Sequence, residues 1–406
     1  MHEQRLLESL NRLAECTDTP GAGVTRFSWS NADRQARAYI EIELKSIGLC
    51  PWTDGIGNIR ARMKGKENIP PVIMGSHLDS VRNGGRYDGA YGVVAALEVL
   101  RSFHDQGYTP RMDVELIAFA EEEGSNFGST CLGSKAVTGQ ASVDDLKLLR
   151  SNTGLSAYQV LKGFGLNPDT LPQEQITPSS ATAYLEVHIE QNDVLERTGH
   201  SLGIVSAISG MRLHRVTLHG HSDHAASPMQ GRRDPMAGFV EVARGMRQLW
   251  MKGVLPADFS CTVGSIECSP NVGIVIPHVV SFTVDIRHVD VPTLEEGWLR
   301  IASIIDKVAK EEGLAVEITR RSASGGVRMS PAIGNAFHAA AVKNDVQPLS
   351  MTSGPAHDAA PMGMVVPAGM LFVPSIGGFS HCEQEETSFE HLVLGAKVLE
   401  DTVRAL

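Results

Sequence analysis

Pro71-Val72-Ile73-Met74-Gly75-Ser76-His77 is an apolar run of strand length that ends on an imidazole. Downstream of it, apolar positions at helical spacing predict a buried helix over Ala90–Phe103. The next apolar run, Met112–Ala120, again has the character of a strand. This strand–helix–strand succession predicts a mostly parallel sheet that is covered by helices. In such folds ligands bind beyond the carboxyl ends of the strands, so residues at those ends are the first candidates for a site.

Residues of the types that commonly bind metal ions lie at or near the ends of several predicted strands. His77 ends the first strand, Asp88 precedes the helix, and Glu121-Glu122-Glu123 follows the second strand. His188 projects from a later strand-like segment, and His381 follows the last one. Imidazole and carboxylate ligands suit zinc, manganese, cobalt or nickel. One or two such cations would generate hydroxide from water at neutral pH.

Each of these residues alone also has a structural interpretation. A histidine near a strand end is usually a hydrogen-bonded residue, and a run of glutamates is usually a solvated surface. The Glu121-Glu122-Glu123 run, however, follows a buried strand without helical spacing, and the joint pattern favours a metal site. Asp79, two residues beyond His77, is predicted to accept the other imidazole N–H and to fix the tautomer of that ring.

A different pattern begins after Gly210 and predicts a small inserted domain. Its elements are the strands Arg212–His219, Ser260–Ile266, Val279–Arg287 and Leu314–Thr319 and the helices Pro235–Leu249 and Leu294–Glu311. This βαββαβ order is that of ferredoxin-like folds. From Ser330 the helix–strand alternation resumes. We therefore predict an α/β catalytic domain over residues 1–210 and 326–406, with an inserted domain over residues 211–325.

The composition is that of an ordinary globular protein. Of the 406 residues 42% are hydrophobic, and the formal charge of −11 argues against nucleic acid or an anionic membrane as a partner. The six cysteines are scattered without a C-x-x-C pair, so neither a disulfide framework nor a structural zinc site is predicted. Because the N-terminal segment lacks the apolar region of a secretory signal, and no window approaches the ~20 apolar residues of a membrane span, we predict a cytoplasmic location.

The motifs taken together resemble those of the M20-type amidohydrolases that remove an N-carbamoyl or ureido group. This family includes N-carbamoyl-L-amino acid hydrolases, β-ureidopropionases and allantoate amidohydrolases. The resemblance spans nearly the whole chain and is carried by the segments Gly23–Phe27, Gly75–Ser80, Asn83–Gly89, Phe119–Gly124, His188–Gln191, His224–Met229, Asp285–His288 and Gly377–His381. It implies a dinuclear-metal, aminopeptidase-like α/β catalytic domain with an inserted ferredoxin-like lid and dimerisation domain.

The resemblance also implies a role for each metal-site residue. Asp88 would bridge two divalent metal ions (Zn²⁺, Mn²⁺, Co²⁺ or Ni²⁺). His77 and His188 would complete one coordination sphere, and Glu123 and His381 the other. Glu122, beside a ligand but not one itself, matches the general base that acts with the water shared by the two ions. Glu121 has no such role and is predicted to be hydrogen-bonded or solvated.

The implied substrate contacts lie mostly in the inserted domain. His224 matches a residue that crosses into the partner subunit's site and stabilises charge on the attacked carbonyl oxygen, which implies a homodimer through the lid. Arg287 matches the residue that holds the substrate carboxylate, a task that suits its planar fork. Gln191 is predicted to contact the ureido group. Without the motifs, His224 would be interpreted as a structural histidine and Arg287 as a member of a surface ion pair.

Several substrate-side positions depart from the family pattern. Ile274 occupies the place of an asparagine that normally touches the substrate, and His278 replaces a glycine. Pro355-Ala356 alters the usual Gly-Ala-Gly-His-Asp segment, Asn126 stands in the place of an arginine, and Asn192 in that of a glycine. These changes concern the substrate and leave every metal position intact.

Three functions are compatible with the chain. The first is hydrolysis of an N-carbamoyl L-amino acid to the amino acid, carbon dioxide and ammonia. The second is the same machinery acting on an N-acyl or amide-conjugated amino acid, a dipeptide, or a ureido acid of the allantoate or ureidoglycolate type. The third is a non-catalytic binding protein that has kept the fold, which the full set of ligands and Glu122 disfavour.

Overall fold

The apolar run that ends at His77 is a central strand of a nine-stranded mixed sheet in the computed structural model, which describes residues 1–406. The strands of this sheet, numbered through the whole chain, are β1 (Trp52–Thr53), β2 (Ile59–Met63), β3 (Val72–His77), β4 (Val114–Phe119), β5 (Ala183–Ile189), β6 (Gly203–Ile208), β14 (Val327–Arg328), β15 (Leu349–Ser353) and β16 (Ala368–Val373). Every residue of β3, β4, β5 and β16 is buried, which is typical of strands that are covered on both faces.

The order of the strands brings four carboxyl ends together. Along the sheet the order is β1-β2-β4-β3-β5-β16-β6-β14, with β15 beside β6. The neighbours β4, β3, β5 and β16 all run parallel. Their carboxyl ends therefore lie at one edge of the sheet, where α/β folds place their ligands.

Helices surround this sheet and build its core. They are α1 (Glu3–Ala14), α2 (Asn31–Ser46), α3 (Ala90–Asp105), α4 (Leu132–Val137), α5 (Val143–Leu148), α6 (Ala157–Phe164), α7 (Val194–Thr198), α10 (Pro331–Lys343), α11 (Ala359–Gly363) and α12 (Phe389–Ala405). Short 3₁₀ turns occupy Pro168–Gln173 and Ile376–Gly378. Helix α3 is buried from Ala90 through Phe103 and packs on β3, α1 and α12. No helix has both the length and the apolar content that a membrane span requires.

The chain divides into two compact units. The larger comprises Met1–Ile208 and Arg328–Leu406, and the smaller comprises Ser209–Val327. The smaller unit contains β7 (Gly210–His219), β8 (Asp223–His224), α8 (Pro235–Met251), β9 (Ser260–Thr262), β10 (Ile266–Ser269), β11 (Val275–Ile276), β12 (Val279–His288), α9 (Val291–Glu311) and β13 (Ala315–Ser324). Its main sheet has the order β10-β12-β7-β13, with β9 beside β12. All its pairings are antiparallel, and its own apolar core lies beneath α8 and α9.

One strand of the smaller unit differs from its prediction. The segment Ser260–Ile266 was predicted as a single strand, but the structure has two short strands, β9 and β10, that pair with the same partner. Thr262 lies opposite Asp285, whereas Ile266 lies opposite Phe282, so the segment between them carries one extra residue. An extra residue on one strand interrupts the ladder as a bulge.

Candidate metal centre

The predicted metal-binding side chains meet at the carboxyl edge of the large sheet. His77 is the last residue of β3, and His188 lies near the end of β5. The Glu121-Glu122-Glu123 run follows β4, Asp88 lies in the loop before α3, and His381 follows β16. Because β4, β3, β5 and β16 are consecutive parallel neighbours, these five segments converge.

Asp88 stands between two groups of ligand-type atoms. Its Oδ1 lies 3.4 Å from His77 Nε2 and 3.2 Å from His188 Nε2. Its Oδ2 lies 3.3 Å from His381 Nε2, which is also 3.3 Å from Glu123 Oε2. The first group is His77, Asp88 and His188, and the second is Asp88, Glu123 and His381. Within each group the ligand atoms lie within 4.8 Å of one another.

Main-chain carbonyl groups orient two of the imidazoles. His77 Nδ1 lies 3.0 Å from the carbonyl oxygen of Asp79, and His188 Nδ1 lies 2.9 Å from that of Ile189. The carbonyl oxygens only accept hydrogen bonds, so each Nδ1 carries a proton, which leaves each Nε2 as the atom that could bind a metal ion. His188 Nε2 also receives the Gly89 N–H at 3.1 Å.

The predicted role of the Asp79 carboxylate is wrong in detail. Its Oδ1 lies 3.8 Å from His77 Nδ1, and the carbonyl oxygen of Asp79 accepts the hydrogen bond of the imidazole instead. The carboxylate accepts the main-chain N–H groups of Glu122 and Glu123, each at 3.1 Å. Asp79 therefore fixes the loop that carries the two glutamates as well as the ring of His77.

The glutamate run is buried, so its interpretation as a solvated surface is wrong. Glu121 has a φ of 57°, and its carboxylate accepts both the main-chain and the side-chain N–H of Asn126 at 2.8 Å. Burial raises the pKa of Glu121 to about 8. The predicted hydrogen-bonded state of Glu121 is confirmed, and Asn126, at the position where the family has arginine, is its partner.

Glu122 lies beside the first ligand group, and Glu123 belongs to the second. Glu122 Oε1 accepts the thiol of Cys131 at 3.2 Å, and its Oε2 lies 3.8 Å from His77 Nε2. Burial raises the pKa of Glu122 to about 7. Burial also raises the pKa of Glu123, whose Oε1 is buried without any hydrogen-bond partner.

The chemistry of these donor atoms fits bound cations. Two imidazole Nε2 atoms lie 3.2–3.4 Å from one carboxylate oxygen of Asp88, and Glu123 Oε1 is buried without a hydrogen-bond partner. Burying several carboxylates together is costly unless positive charge lies near them. Nitrogen and oxygen ligands about 2.0–2.1 Å from a tetrahedral ion are about 3.3 Å apart, close to the separations around Asp88.

Gln191 lies at this centre. With a φ of 59°, it directs its side-chain amide onto Asp88 Oδ2 at 2.7 Å. The same amide nitrogen is 3.5 Å from His381 Nε2, and Gln191 Oε1 is buried without a partner. Its predicted contact with a ureido group stays a prediction.

A third group of ligand-type residues, Glu186, His188 and His357, lies behind the first. The Glu186 carboxylate already accepts hydrogen bonds from Ser76 Oγ, Tyr184 Oη and the main chain of Ala359. Its acceptor capacity is thus used by protein donors. We interpret this group as the polar wall that supports His188. The sequence analysis missed Glu186, because a glutamate inside an apolar strand has no local pattern that marks its role.

His224 and Arg287 lie in the smaller unit. His224, in β8, is exposed and lies opposite Val275 of β11, and its Nδ1 accepts the Ala226 N–H at 3.0 Å. Nε2 therefore carries the proton and can donate a hydrogen bond. Arg287 donates from Nε and Nη2 to the two carboxylate oxygens of Asp285, each at 3.0 Å. Arg287 therefore forms an ion pair, as its alternative structural interpretation predicted.

The departures from the family pattern also have defined positions. Ile274 is 65% exposed, and its carbonyl oxygen accepts the Ala225 N–H at 3.0 Å, beside His224. The altered Pro355-Ala356 segment leads into His357, which is buried with its ring against His188. Ile274 thus contacts the segment that follows His224, and the Pro355-Ala356 departure lies near His188, a predicted metal ligand.

A partly buried cluster of imidazoles and carboxylates at the carboxyl edge of a parallel sheet is the type of site that metal-dependent hydrolases use. The sequence matches peptidase family M20/M25/M40 over residues 73–405. The chain belongs to this family, whose enzymes are metal-dependent.

Relatives match along the whole chain. It is 34% identical over 402 residues to the N-carbamoyl-L-amino acid amidohydrolase of Geobacillus stearothermophilus, covering 98% of this chain and 97% of that protein. It is 35% identical over 396 residues to the allantoate amidohydrolase of Bacillus subtilis, covering 97% and 95%. A crystal structure of an amidase of the hydantoinase/carbamoylase family from Burkholderia multivorans superposes with a TM-score of 0.90 at 30% identity, covering 100% and 97%.

Proposed function

We propose that this protein hydrolyses the C–N amide bond of an N-carbamoyl L-amino acid and releases the amino acid, carbon dioxide and ammonia. The observation that carries the proposal is the arrangement of two ligand groups around the shared carboxylate of Asp88. The similarity to an N-carbamoyl-L-amino acid amidohydrolase over nearly the full length of both chains supports the substrate class.

The proposed centre holds two divalent ions. His77, His188 and Asp88 would hold one, and Asp88, Glu123 and His381 the other. When bound, such ions acidify water and polarise the carbonyl group that is attacked. Zinc, manganese, cobalt and nickel all suit this ligand set.

Glu122 is the general base in this proposal. The thiol of Cys131 holds Oε1, which leaves Oε2 on the side of His77 to take a proton from the attacking water. A base with a pKa of about 7 is also able to give that proton to the departing nitrogen. Catalysis by a positioned acid–base group typically contributes about 10²–10⁴-fold to the rate.

The substrate contacts complete the proposal. Gln191 would bind the ureido group, and Arg287 would exchange its ion pair with Asp285 for the substrate carboxylate. His224 would donate Nε2–H to the carbonyl oxygen in the site of the partner subunit, in a homodimer that forms through the smaller unit as a lid.

Ammonia release from a panel of N-carbamoyl L-amino acids tests the proposal. Wild-type protein loaded with Zn²⁺, Mn²⁺, Co²⁺ or Ni²⁺ is expected to turn over at least one of them. Glu122→Gln should lower kcat about 10²–10⁴-fold at unchanged metal content, because it removes the base and no ligand. Glu121→Gln, an isosteric change at the buried neighbouring glutamate, is the matched control and should retain activity. Silence of every metal-loaded form on the whole panel would reject the proposal.

A second candidate is the same chemistry on an N-acyl amino acid or dipeptide. The exposed apolar side chain of Ile274 beside the His224 segment favours it, since an acyl group is less polar than a ureido group. Comparing kcat/KM for the N-acetyl, N-carbamoyl and glycyl derivatives of one amino acid separates the candidates. Allantoate belongs in the same panel because of the similarity to an allantoate amidohydrolase.

A further inference from the structure

Glu385 is a buried carboxylate that the sequence analysis did not identify. Only 3% of the residue is exposed, although it lies in the polar run Glu383–Glu386 just after His381. Its Oε1 accepts the main-chain N–H of Tyr87 at 2.9 Å and that of Asp88 at 3.1 Å. A side chain near the C-terminal end of the chain therefore fixes the main chain of the residue that the two ligand groups share.

The other oxygen of Glu385 reaches the loop that supplies His381. Glu385 Oε2 lies 3.0 Å from Ser380 Oγ, and the same hydroxyl lies 3.0 Å from Asp88 Oδ2. Ser380 directly precedes His381. Glu385 thus connects the loop before α3 with the loop after β16, and each of these loops supplies one proposed ligand.

The glycine at position 85 is independent evidence that this space is shaped around the carboxylate. A Cβ atom on Gly85 would lie 1.9 Å from Glu385 Cδ and 2.0 Å from Glu385 Oε1. Any side chain there would displace the carboxylate from the main chain of Asp88. The φ of Gly85 is not positive, so space and not backbone conformation requires glycine.

From these contacts we infer that Glu385 is a positioning residue that raises the metal affinity of the centre by holding Asp88 and the His381 loop in their binding geometry. The inference rests on the proposed function and extends it to a residue that binds no metal itself. Groups that orient metal ligands commonly change metal affinity about 10–100-fold when they are removed. A carboxylate with two main-chain donors and a hydroxyl acts in this way because the ligands are ordered before the ion arrives.

The test measures dissociation constants for Zn²⁺ and for Mn²⁺ by competition with a chromophoric chelator. Glu385→Ala should weaken binding about 10–100-fold. Glu385→Gln should weaken it less, because the amide oxygen still accepts from the main chain and the amide nitrogen can donate to Ser380. Gly85→Ala should weaken it while Glu385 is retained. Glu383→Gln is the matched control, since Glu383 is exposed and bonds only to Gln384, and its affinity should equal that of the wild type.

The outcomes separate the inference from the proposed function. Wild-type protein that binds neither ion would contradict the proposed function. Wild-type binding with unchanged affinities in Glu385→Ala and Gly85→Ala would overturn only the inference. A loss of apo-protein stability without a loss of metal affinity would also overturn it, because Glu385 would then serve the fold alone. If Glu385→Ala does not fold, Glu385→Gln and Gly85→Ala decide by the same measurement.

Discussion

At the scale of single residues, the centre depends on how closely the main chain approaches the imidazoles. Gly89 follows Asp88 directly, and its N–H points at His188 Nε2. A Cβ atom at this position would lie 2.3 Å from the ring of His77, and the φ of Gly89 is 64°. Both space and backbone conformation therefore require glycine beside Asp88, the proposed shared ligand.

Gly89→Ala should consequently weaken metal binding far more than it destabilises the apo protein. A left-handed alanine costs about 1–2 kcal/mol in unfolding free energy. In addition, its Cβ atom would collide with the ring of His77 and displace this proposed ligand, which lowers the metal affinity. Gly107→Ala is the matched control, because Gly107 has a φ of 59° and a Cβ atom there would meet no other atom within 4 Å. Urea unfolding and metal titration of both variants give the comparison. Equal metal affinities in the two variants would show that the space beside His77 is unimportant.

The residues that could be predicted from the sequence are those adjacent to strand ends. His77 and Asp88 stand where an apolar run stops or a helix begins, so local pattern and chemistry agree there. Glu385 lies in an acidic run of ordinary appearance, and its hydrogen-bond partner Asp88 is 297 positions away in the chain. Asp79 was identified, but its carboxylate serves the glutamate loop, because the main-chain carbonyl group of the same residue already meets the imidazole. Such choices depend on tertiary contacts that periodicity does not record.

At the scale of secondary structure, periodicity placed β3, α3 and β4 of the larger unit and the main strands and helices of the smaller one, and local exceptions set their ends. Helix α9 begins at Val291, before the predicted Leu294, because Asp290 caps it by accepting the Thr293 N–H at 3.0 Å. The break between β9 and β10 was not predicted, although one extra residue moves the inward positions from Cys261 and Val263 to Cys268. Caps and bulges depend on single side chains, so a pattern averaged over a window passes over them.

The packing of β7 against α9 makes the stability of the smaller unit depend on pH. His214 of β7 is 5% exposed and stacks on Trp298 of α9 with ring centroids 3.4 Å apart. Burial lowers the pKa of His214 from 6.5 to about 4, and the Arg320 guanidinium also disfavours its protonation. Between about pH 4 and pH 6.5, His214 therefore binds a proton in the unfolded chain but stays neutral in the folded chain. Folding stability from this group is therefore lost as the pH falls through that window.

His214→Phe keeps an aromatic ring on Trp298 and removes the titration. Its unfolding free energy relative to wild type should rise as the pH falls from 7 toward 4.5, when measured by urea titration with tryptophan fluorescence. Val216→Ala is the control, since Val216 is a buried residue of the same strand without a titratable group, and its difference from wild type should not vary with pH. A difference between His214→Phe and wild type that stays constant over this range would contradict the assignment.

At the scale of the whole molecule, the proposed reaction uses residues from both units. The larger unit contains Glu122 with the ligand groups, and the smaller contains His224 and Arg287. In the proposed homodimer, His224 of one chain would serve the site of the other, so each site would combine residues of two chains. In a closed twofold dimer the two sites are equivalent, so each chain gives one histidine and receives one.

Mixed dimers test this sharing directly. His224→Ala and Glu122→Gln should each be nearly inactive alone, and co-expression under two affinity tags should yield a mixed dimer with one complete site. That site combines Glu122 of one chain with His224 of the other, so the purified mixed dimer should regain about half of the wild-type kcat. If His224 instead served its own chain, both sites of the mixed dimer would lack one group and the activity would stay at the level of the parents. Sedimentation of each variant shows whether the dimer itself forms, and a protein that remains monomeric while fully active would contradict the shared site.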